Sequence, residues 1–385
     1  MLSKNIFRKI ILLTLLSALI YGRSAAQHYY EFKNSYAELD SMQREAAITE
    51  LSAKHFKKPT NTLFIKMLAE AFSAKKEVDS AITYWLLLGS IQPSNDTAFY
   101  ALARLFYNTN NLDSASQMIQ KSANLKPDRI DYIELEAQID YRMQKADDAL
   151  QLCDKILALS PTDVNALLLS GIILRDQKKN DAAMERFQNC LKVDPANTEA
   201  LVYRAEQYLL AKKYTDALRD YSAARADLSI NPDILNNIGI CHYQSSAFQQ
   251  AIVFFKKAIS LDRLHPQSYF NEGLSYYHLN DIDTASARIK TASAIWDTCH
   301  ADTCHTCYLD AIYYLGLCYK KIGDLPAAKT QFELLQKEKY SKDLSSNIKL
   351  IDYSLFISRN WYYILAVLIL TILLILATVK VVRKK

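Results

Sequence analysis

The sequence predicts an all-α chain in which paired helices stack into a solenoid, followed by one C-terminal transmembrane helix. Three observations lead to this prediction: the composition, a 34-residue period of alanine and proline, and an uncharged apolar run near the C-terminus. The 385 residues include only 7 glycines and 8 prolines. Scarce glycine and proline indicate few tight turns and a chain made mostly of helix.

The N-terminus has the features of a secretory signal peptide over residues 1–26. A cationic stretch ends at Lys9, an apolar run covers residues 10–21, and Ser24 and Ala26 place small residues at the −3 and −1 positions of a cleavage site. Twelve residues of helix rise only about 18 Å, which is short for a bilayer. An uncleaved signal anchor is the alternative.

A strict repeat follows, and its phase is set by alanine and proline. The alanines that recur every 34 residues are Ala81, Ala115, Ala149, Ala183, Ala217, Ala251 and Ala285. The prolines with the same spacing are Pro59, Pro93, Pro127, Pro161 and Pro195. Pro232 and Pro266 are also 34 residues apart, three positions further along the cycle. After a nine-residue insertion, Ala328 continues the alanine series. A period of this length is typical of a repeat that forms one pair of helices.

This pattern resembles the tetratricopeptide-repeat (TPR) family over residues 62–342. The eight repeats begin at Thr62, Asp96, Ile130, Val164, Thr198, Pro232, Pro266 and Leu309. Position 8 of each repeat is small, as the family requires: Ala69, Ala103, Ala137, Gly171, Ala205, Gly239, Gly273 and Gly316. Position 24 is large in seven repeats, and Cys153 is the weakest match. Asp140 and His242 depart from the family at position 11. The resemblance implies a right-handed TPR α-solenoid whose first helices line a concave wall.

The ends of the solenoid need covers. Residues 27–61 keep Ala47, Leu51 and Pro59 in phase but lack a clear first helix, so they are predicted to form a degenerate N-terminal cap. Residues 343–360 are predicted to form a capping helix. Its apolar stripe consists of Leu344, Ile348, Ile351 and Leu355.

Residues 361–379 are predicted to form the transmembrane helix. The run from Trp361 to Val379 has no charge, and its 19 residues span about 28 Å as a helix, close to the hydrocarbon thickness of a bilayer. The basic residues of 380–385 are expected to stay in the cytoplasm, which leaves residues 27–360 outside it, in a periplasm if the cell is Gram-negative. A buried core helix is the alternative.

The charge distribution argues against nucleic-acid binding. Residues 1–26 and 380–385 carry eight cations and no acid, and subtracting these cations from the formal charge of +5 leaves −3 for residues 27–379. A mildly acidic folded part without a basic stripe does not suit a polyanion.

The concave wall is the first candidate binding site, for protein or peptide ligands. Tyrosine occupies position 12 at Tyr107, Tyr141, Tyr243 and Tyr277, and asparagine occupies position 6 at Asn237 and Asn271. Tyrosine offers contact area at little entropy cost, and asparagine can bond both backbone groups of a peptide. The resemblance implies that such residues hold extended peptides. Both residue types are also common at these positions in TPR sequences generally, so a purely structural role is the alternative.

The Cys-rich insertion, residues 300–308, is the second candidate. Cys299, Cys304 and Cys307 cluster here, and outside the cytoplasm a disulfide between two of them is the first interpretation. Metal binding by these thiolates with His300 or His305 is the alternative. The third cysteine could pair with Cys318, bridge to another molecule or stay free.

No catalytic motif, phosphate loop or metal-binding helix pattern is recognisable, so we expect no enzyme activity, cofactor or metal site. The function predicted from the sequence is that of a membrane-anchored, extracytoplasmic TPR scaffold that binds proteins. A sensory ectodomain coupled through its transmembrane helix, or a metal or redox loop protein, are the alternatives. The oligomeric state is left open.

Overall fold

The computed structural model describes residues 25–37, 39–224, 231–298, 302–338 and 344–382, and the regular structure of these residues is α-helical. They divide into two compact halves at Pro195 and Ala196. The N-terminal half contains α1 Ala25–Ala37, α2 Ser41–Lys57, α3 Thr62–Lys75, α4 Val78–Ile91, α5 Asp96–Asn108, α6 Leu112–Leu125, α7 Ile130–Arg142, α8 Ala146–Leu159, α9 Val164–Asp176 and α10 Asn180–Val193. The C-terminal half contains α11 Thr198–Leu210, α12 Tyr214–Ala223, α13 Pro232–Gln244, α14 Phe248–Leu261, α15 Pro266–His278, α16 Ile282–Asp297, α17 Asp302–Ile322, α18 Leu325–Lys337 and α19 Ser345–Val382.

The prediction of an all-α stack of helical pairs is confirmed. From α3 to α18 the helices alternate between the first and second helix of a repeat. Each first helix packs on the second helix of its own repeat, and within each half most second helices also pack on the next repeat. The first helices of repeats 1 to 7 begin at the residues where the 34-residue phase places them.

Repeat 8 differs from its expected boundary. Its first helix, α17, begins at Asp302, seven residues before Leu309, so most of the Cys-rich insertion is helical. The inserted segment contains neither proline nor glycine, and nothing in it interrupts helical hydrogen bonding once the helix has started.

The turn between the two helices of each repeat has the same backbone conformation throughout. Position 15 is left-handed in all eight repeats, at Lys76, Asn110, Gln144, Lys178, Lys212, Ser246, Asn280 and Gly323. The next amide in the chain donates to the carbonyl of position 11, as Asn111 N does to Phe106 O at 2.9 Å. This is the hydrogen bond of a Schellman helix end, which holds side chains near the end of the first helix in a fixed place.

The small residue at position 8 is in direct contact with the large residue at position 24 of the same repeat. A Cβ atom built on Gly239 would lie 2.4 Å from Cε1 of Phe255, and one on Gly171 would lie 2.5 Å from Cε1 of Phe187. Both phenylalanines are fully buried. The small residue that the repeat pattern shows at position 8 therefore has a steric cause.

The N-terminal cap requires a correction, because it does contain a first helix, α1. Phe32, Tyr36 and Leu39 are buried against α2 and α3, and the Tyr36 hydroxyl donates to the Ala71 carbonyl at 3.3 Å. The first helix ends at Ala37 and α2 begins at Ser41, three residues before the 34-residue phase places it, so the repeat pattern does not reveal this helix. The signal-peptide prediction falls almost entirely on residues 1–24, which lie outside the described residues.

The C-terminal cap follows its apolar stripe. Leu344 and Ile351 are buried in a cluster with Phe332 and Leu335 of repeat 8, and Ile348 and Leu355 pack against it. Residues 339–343, which precede this stripe, lie outside the described residues.

The predicted transmembrane helix is not supported. Residues 361–379 continue the helix α19, but the side chains of most of these residues are not described. Across the part of the chain that is described, we find no helix with both the length and the apolar character needed to cross a bilayer.

Candidate functional site

The four position-12 tyrosines are half-buried, and each contacts the residue at position 13 of the following repeat. In the N-terminal half, the guanidinium carbon of Arg142 lies 4.6 Å from the centre of the Tyr107 ring. Arg142 also donates to the Tyr107 carbonyl at 3.2 Å and to Asn110 Oδ1 at 2.5 Å. The Tyr141 hydroxyl donates to Asp176 Oδ2 at 2.5 Å. Both tyrosines therefore link adjacent repeats.

The tyrosines of the C-terminal half follow the same rule with different partners. The Tyr243 ring meets the His278 ring edge-on at 5.5 Å. The Lys321 ammonium lies 4.4 Å from the centre of the Tyr277 ring and donates to Asn280 Oδ1 at 3.2 Å. The structure thus gives every predicted groove tyrosine a partner within the chain. The sequence did not reveal these partners, because position 13 holds two cations, an aspartate and a histidine, and no single residue type recurs there.

Six rings of repeats 6 to 8 form a row that we call the aromatic cluster, and its members Phe270 and Tyr314 also meet Trp296 and Tyr313 edge-on. Neighbouring rings lie 4.9 to 6.5 Å apart between centres, in stacked or edge-on geometry. Its members are Tyr243, Phe248, Phe270, Tyr277, His278 and Tyr314. His278 is exposed and the other five are half-buried. Two predicted residues, Tyr243 and Tyr277, therefore belong to one aromatic surface, whereas Tyr107 and Tyr141 belong to the other half.

The phenols of this cluster remain neutral at physiological pH. Burial raises the pKa of Tyr243, of Tyr277 and of Tyr314 above the ordinary value of 10.0. Each ring therefore combines an apolar face with a hydroxyl that can donate a hydrogen bond to a ligand carbonyl. Aromatic residues with such a polar tip are enriched in protein interfaces.

The two predicted asparagines do not act as a pair. Asn271 Nδ2 donates to Asn236 Oδ1 at 3.0 Å, so its partner is the buried neighbour of Asn237 and not Asn237 itself. Asn237 lies half-buried on α13. The Asn271 side chain therefore already makes a hydrogen bond between repeats 6 and 7.

A polar network extends from the same contact. Ser268 Oγ lies 3.2 Å from Asn236 Oδ1 and 2.8 Å from His265 Nδ1, and His265 Nε2 lies 3.0 Å from Asp233 Oδ1. The Ser268 amide donates to Nδ1, so the proton of a neutral His265 is on Nε2, facing Asp233. The order aspartate, histidine, serine resembles a catalytic triad, but Ser268 is fully buried and its hydroxyl cannot reach a substrate in this conformation. The network caps α15 and joins two repeats.

The Cys-rich insertion shows no disulfide in its described part. Cys307 is a half-buried free thiol and Cys318 a buried one, whereas Cys299 and the side chain of Cys304 lie outside the described residues. The disulfide prediction is therefore not supported. Among the described residues, no cluster of three or more histidine, cysteine, aspartate or glutamate side chains could hold a metal ion. His305 Nε2 lies 3.7 Å from Glu338 Oε2, beside a small cavity.

Solved structures with a similar fold are repeat proteins of low sequence identity. A tetratricopeptide repeat protein from Parabacteroides merdae is 14% identical, with 64% of this chain and 97% of that chain covered and a TM-score of 0.48. The C-terminal part of a TPR repeat-containing protein from Cytophaga hutchinsonii is 15% identical, with coverages of 63% and 97% and a TM-score of 0.48. The pilF protein of Pseudomonas aeruginosa is 15% identical, with coverages of 57% and 96% and a TM-score of 0.47. No curated protein matches the chain.

Family models described as tetratricopeptide repeat match four segments, residues 96–129, 168–227, 211–269 and 310–342. These segments lie within the stacked helical pairs described above. The matches thus support tetratricopeptide repeats in these four segments, and the helical pairs described above continue beyond them.

Proposed function

We propose that this chain is a protein-binding scaffold and that the aromatic cluster of repeats 6 to 8 is its principal ligand surface. The observation that carries the proposal is the continuity of the six rings across three first helices and one second helix. A row of half-buried rings offers stacking area at low entropy cost to an extended segment of a partner protein.

The charge and hydrogen-bonding groups around the cluster favour a peptide over a purely apolar ligand. Two phenol hydroxyls, of Tyr243 and Tyr277, can donate to backbone carbonyls of a ligand. The Lys321 ammonium, at 4.4 Å from the Tyr277 ring centre, adds a positive charge beside the middle of the row. The ligand we propose is therefore an extended segment with an acidic group between apolar side chains.

Site-specific photo-crosslinking tests this function. A benzophenone amino acid is placed at Tyr243, Tyr277 or Tyr314 in the full chain, in its native cell. The matched control position is Tyr214, which is half-buried at the start of α12 and outside the cluster. We expect the same protein adduct from the three cluster positions and none from Tyr214. Adducts that are equally strong at Tyr214, or absent everywhere, would refute the assignment of the surface.

The cellular location of the chain is also a proposal. It is based on the signal-peptide features of residues 1–26 and on the apolar run and basic residues of 361–385. We propose that residues 27–360 lie outside the cytoplasm and that residues 361–379 hold the chain at a membrane. Extraction of cell membranes with alkaline carbonate, followed by protease treatment of intact spheroplasts, tests both points. Release of the chain by carbonate, or full protection from protease, would contradict them.

A further inference from the structure

A second surface lies in the N-terminal half and shares no residue with the aromatic cluster. It is an open cavity of about 590 Å³ between the second helices of repeats 1 and 2, α4 and α6, with α5 contributing part of its wall. Its apolar walls are formed by Leu86, Pro93, Phe99, Leu102, Met118 and Leu125.

Glycine at position 28 of repeat 1, Gly89, lines the cavity. Position 28 is also small in repeats 2 and 7, at Ala123 and Ser293, but repeats 3, 4 and 6 have a large aliphatic residue there, at Leu157, Leu191 and Ile259. A Cβ atom on Gly89 would lie 3.2 Å from Cε1 of Phe99, so a side chain at position 89 would contact the Phe99 ring. A leucine at position 89 would extend past the ring into the cavity.

The mouth of the cavity is apolar on two sides and positively charged on a third. Leu86 and Leu125 are 48% and 42% exposed, which is high for leucines on folded helices. The Lys121 ammonium stands 5.5 Å from the centre of the Phe99 ring and forms no ion pair with any described residue. Asn124 lies one helical turn further along α6, on the same rim.

We propose that this cavity docks a segment of a partner protein that presents a pair of large apolar side chains next to a carboxylate. The apolar walls would take the two side chains, and Lys121, which forms no ion pair with any described residue, would meet the carboxylate. The open mouth argues for a protein segment, because sites for small molecules enclose most of their ligand. The proposal stands apart from the aromatic cluster, so either surface can fail without the other.

Methionine methyl NMR of the full chain tests the proposal, since Met118 lines the cavity and Met143 and Met184 do not. The probe is acetyl-Leu-Phe-Glu-amide at millimolar concentration. One comparison peptide, acetyl-Leu-Phe-Gln-amide, lacks the charge, and another, acetyl-Ser-Ser-Glu-amide, lacks the anchor. Met118→Leu assigns the Met118 signal. We expect the Met118 signal to shift with the first peptide, to shift with roughly threefold weaker affinity for the neutral one, and to stay in place with the third.

Two variants complete the test. Gly89→Leu should abolish the shift of the Met118 signal, while an unchanged melting temperature would show that the fold is intact. Lys121→Gln should weaken the affinity for the acidic peptide roughly threefold and leave the affinity for the neutral peptide unchanged. The matched control is Lys155→Gln at the same repeat position, where the ammonium already donates to the Pro127 carbonyl at 2.8 Å. It should change nothing.

Three outcomes would overturn the proposal. The first is a Met118 signal that does not move with any peptide. The second is equal binding of the acidic and neutral peptides, which would remove the role of Lys121. The third is a shift with decanoate and none with the peptides, which would assign the cavity to an amphiphilic small molecule.

Discussion

Arg142 packs its guanidinium over the Tyr107 ring at 4.6 Å and bonds the Tyr107 carbonyl and the Asn110 side chain at the same time. Lys321 repeats this arrangement on Tyr277 and Asn280 in the other half of the chain. In both places a cation at position 13 contacts the tyrosine at position 12 and the left-handed asparagine at position 15 of the preceding repeat. The contact joins two repeats through the end of a helix.

We expect Arg142→Ala to lower the free energy of unfolding by about 1 kcal/mol, because a partly exposed cation–π contact and its hydrogen bonds are lost. A double-mutant cycle with Tyr107→Leu, followed by urea denaturation, measures the coupling. The control is Lys179→Ala, since Lys179 is exposed and makes no ion pair with the described residues. Additive effects of the two changes would show that the contact contributes nothing.

Gly239→Ala should destabilise the chain by about 2 kcal/mol, because the new methyl group overlaps the Phe255 ring at 2.4 Å and the ring is fully buried. Repeat 2 suggests the rescue, since its corresponding residues are Ala103 and Ile119, both buried. The double variant Gly239→Ala, Phe255→Ile should recover most of the loss. Thermal unfolding followed by circular dichroism measures both variants. A double variant no more stable than Gly239→Ala alone would contradict the steric account.

The features that could be predicted from the sequence are those that recur. Spacing alone places the helix starts, because every repeat packs in the same way. It did not predict the contact between positions 8 and 24 of one repeat, since the pattern shows which positions are small or large and not which side chains meet. The first helix of the cap, α1, was missed because α1 ends and α2 begins at residues that the 34-residue phase does not give. The early start of α17 at Asp302 lies in the insertion, where the repeat gives no phase.

The candidate site was predicted only in part for a related reason. Tyr243 and Tyr277 were selected by repeat position, and they do share one surface. Phe248, His278 and Tyr314 joined that surface only in the structure, because they occupy different repeat positions and come together through the packing of adjacent repeats. A contact between repeats depends on two positions at once, whereas the repeat pattern is read one position at a time.

Asp220→Asn should lower the free energy of unfolding by about 3 kcal/mol. Asp220 is buried on α12, where Arg204 of the same repeat donates to its two carboxylate oxygens at 2.6 and 2.8 Å. Removing the negative charge leaves the guanidinium without its partner in a mostly buried place. Urea denaturation measures the loss, and Asp216→Asn, which removes only an exposed partner of Arg219, is the control. If Asp220→Asn lowers the free energy of unfolding by less than Asp216→Asn does, the ion pair of Asp220 and Arg204 does not form in solution.

Glu272 and Arg288 use the same two repeat positions with the charges exchanged, but their geometry is poorer. Arg288 Nε lies 3.2 Å from Glu272 Oε2, and neither carboxylate oxygen has a hydrogen bond, although Glu272 is fully buried. Burial raises the pKa of Glu272 above its ordinary value of 4.5, and the positive charges of Arg288 and Lys256 offset this only in part. The folded chain therefore holds the Glu272 proton more tightly than the unfolded chain does.

The sign of the pH dependence follows from this difference. The contribution of Glu272 to the free energy of unfolding is fully present below pH 4.5, the pKa of the unfolded state. It is lost as the pH rises through the higher pKa of the folded state. Glu272→Gln cannot lose a proton, so it should match the native chain near pH 4 and exceed its stability by about 1 kcal/mol at pH 7. Urea denaturation of both chains from pH 4 to pH 8 measures the difference, in which the titration of all other groups cancels. A difference that is constant across this range, or that favours the native chain at pH 7, would mean that Arg288 compensates the buried charge completely.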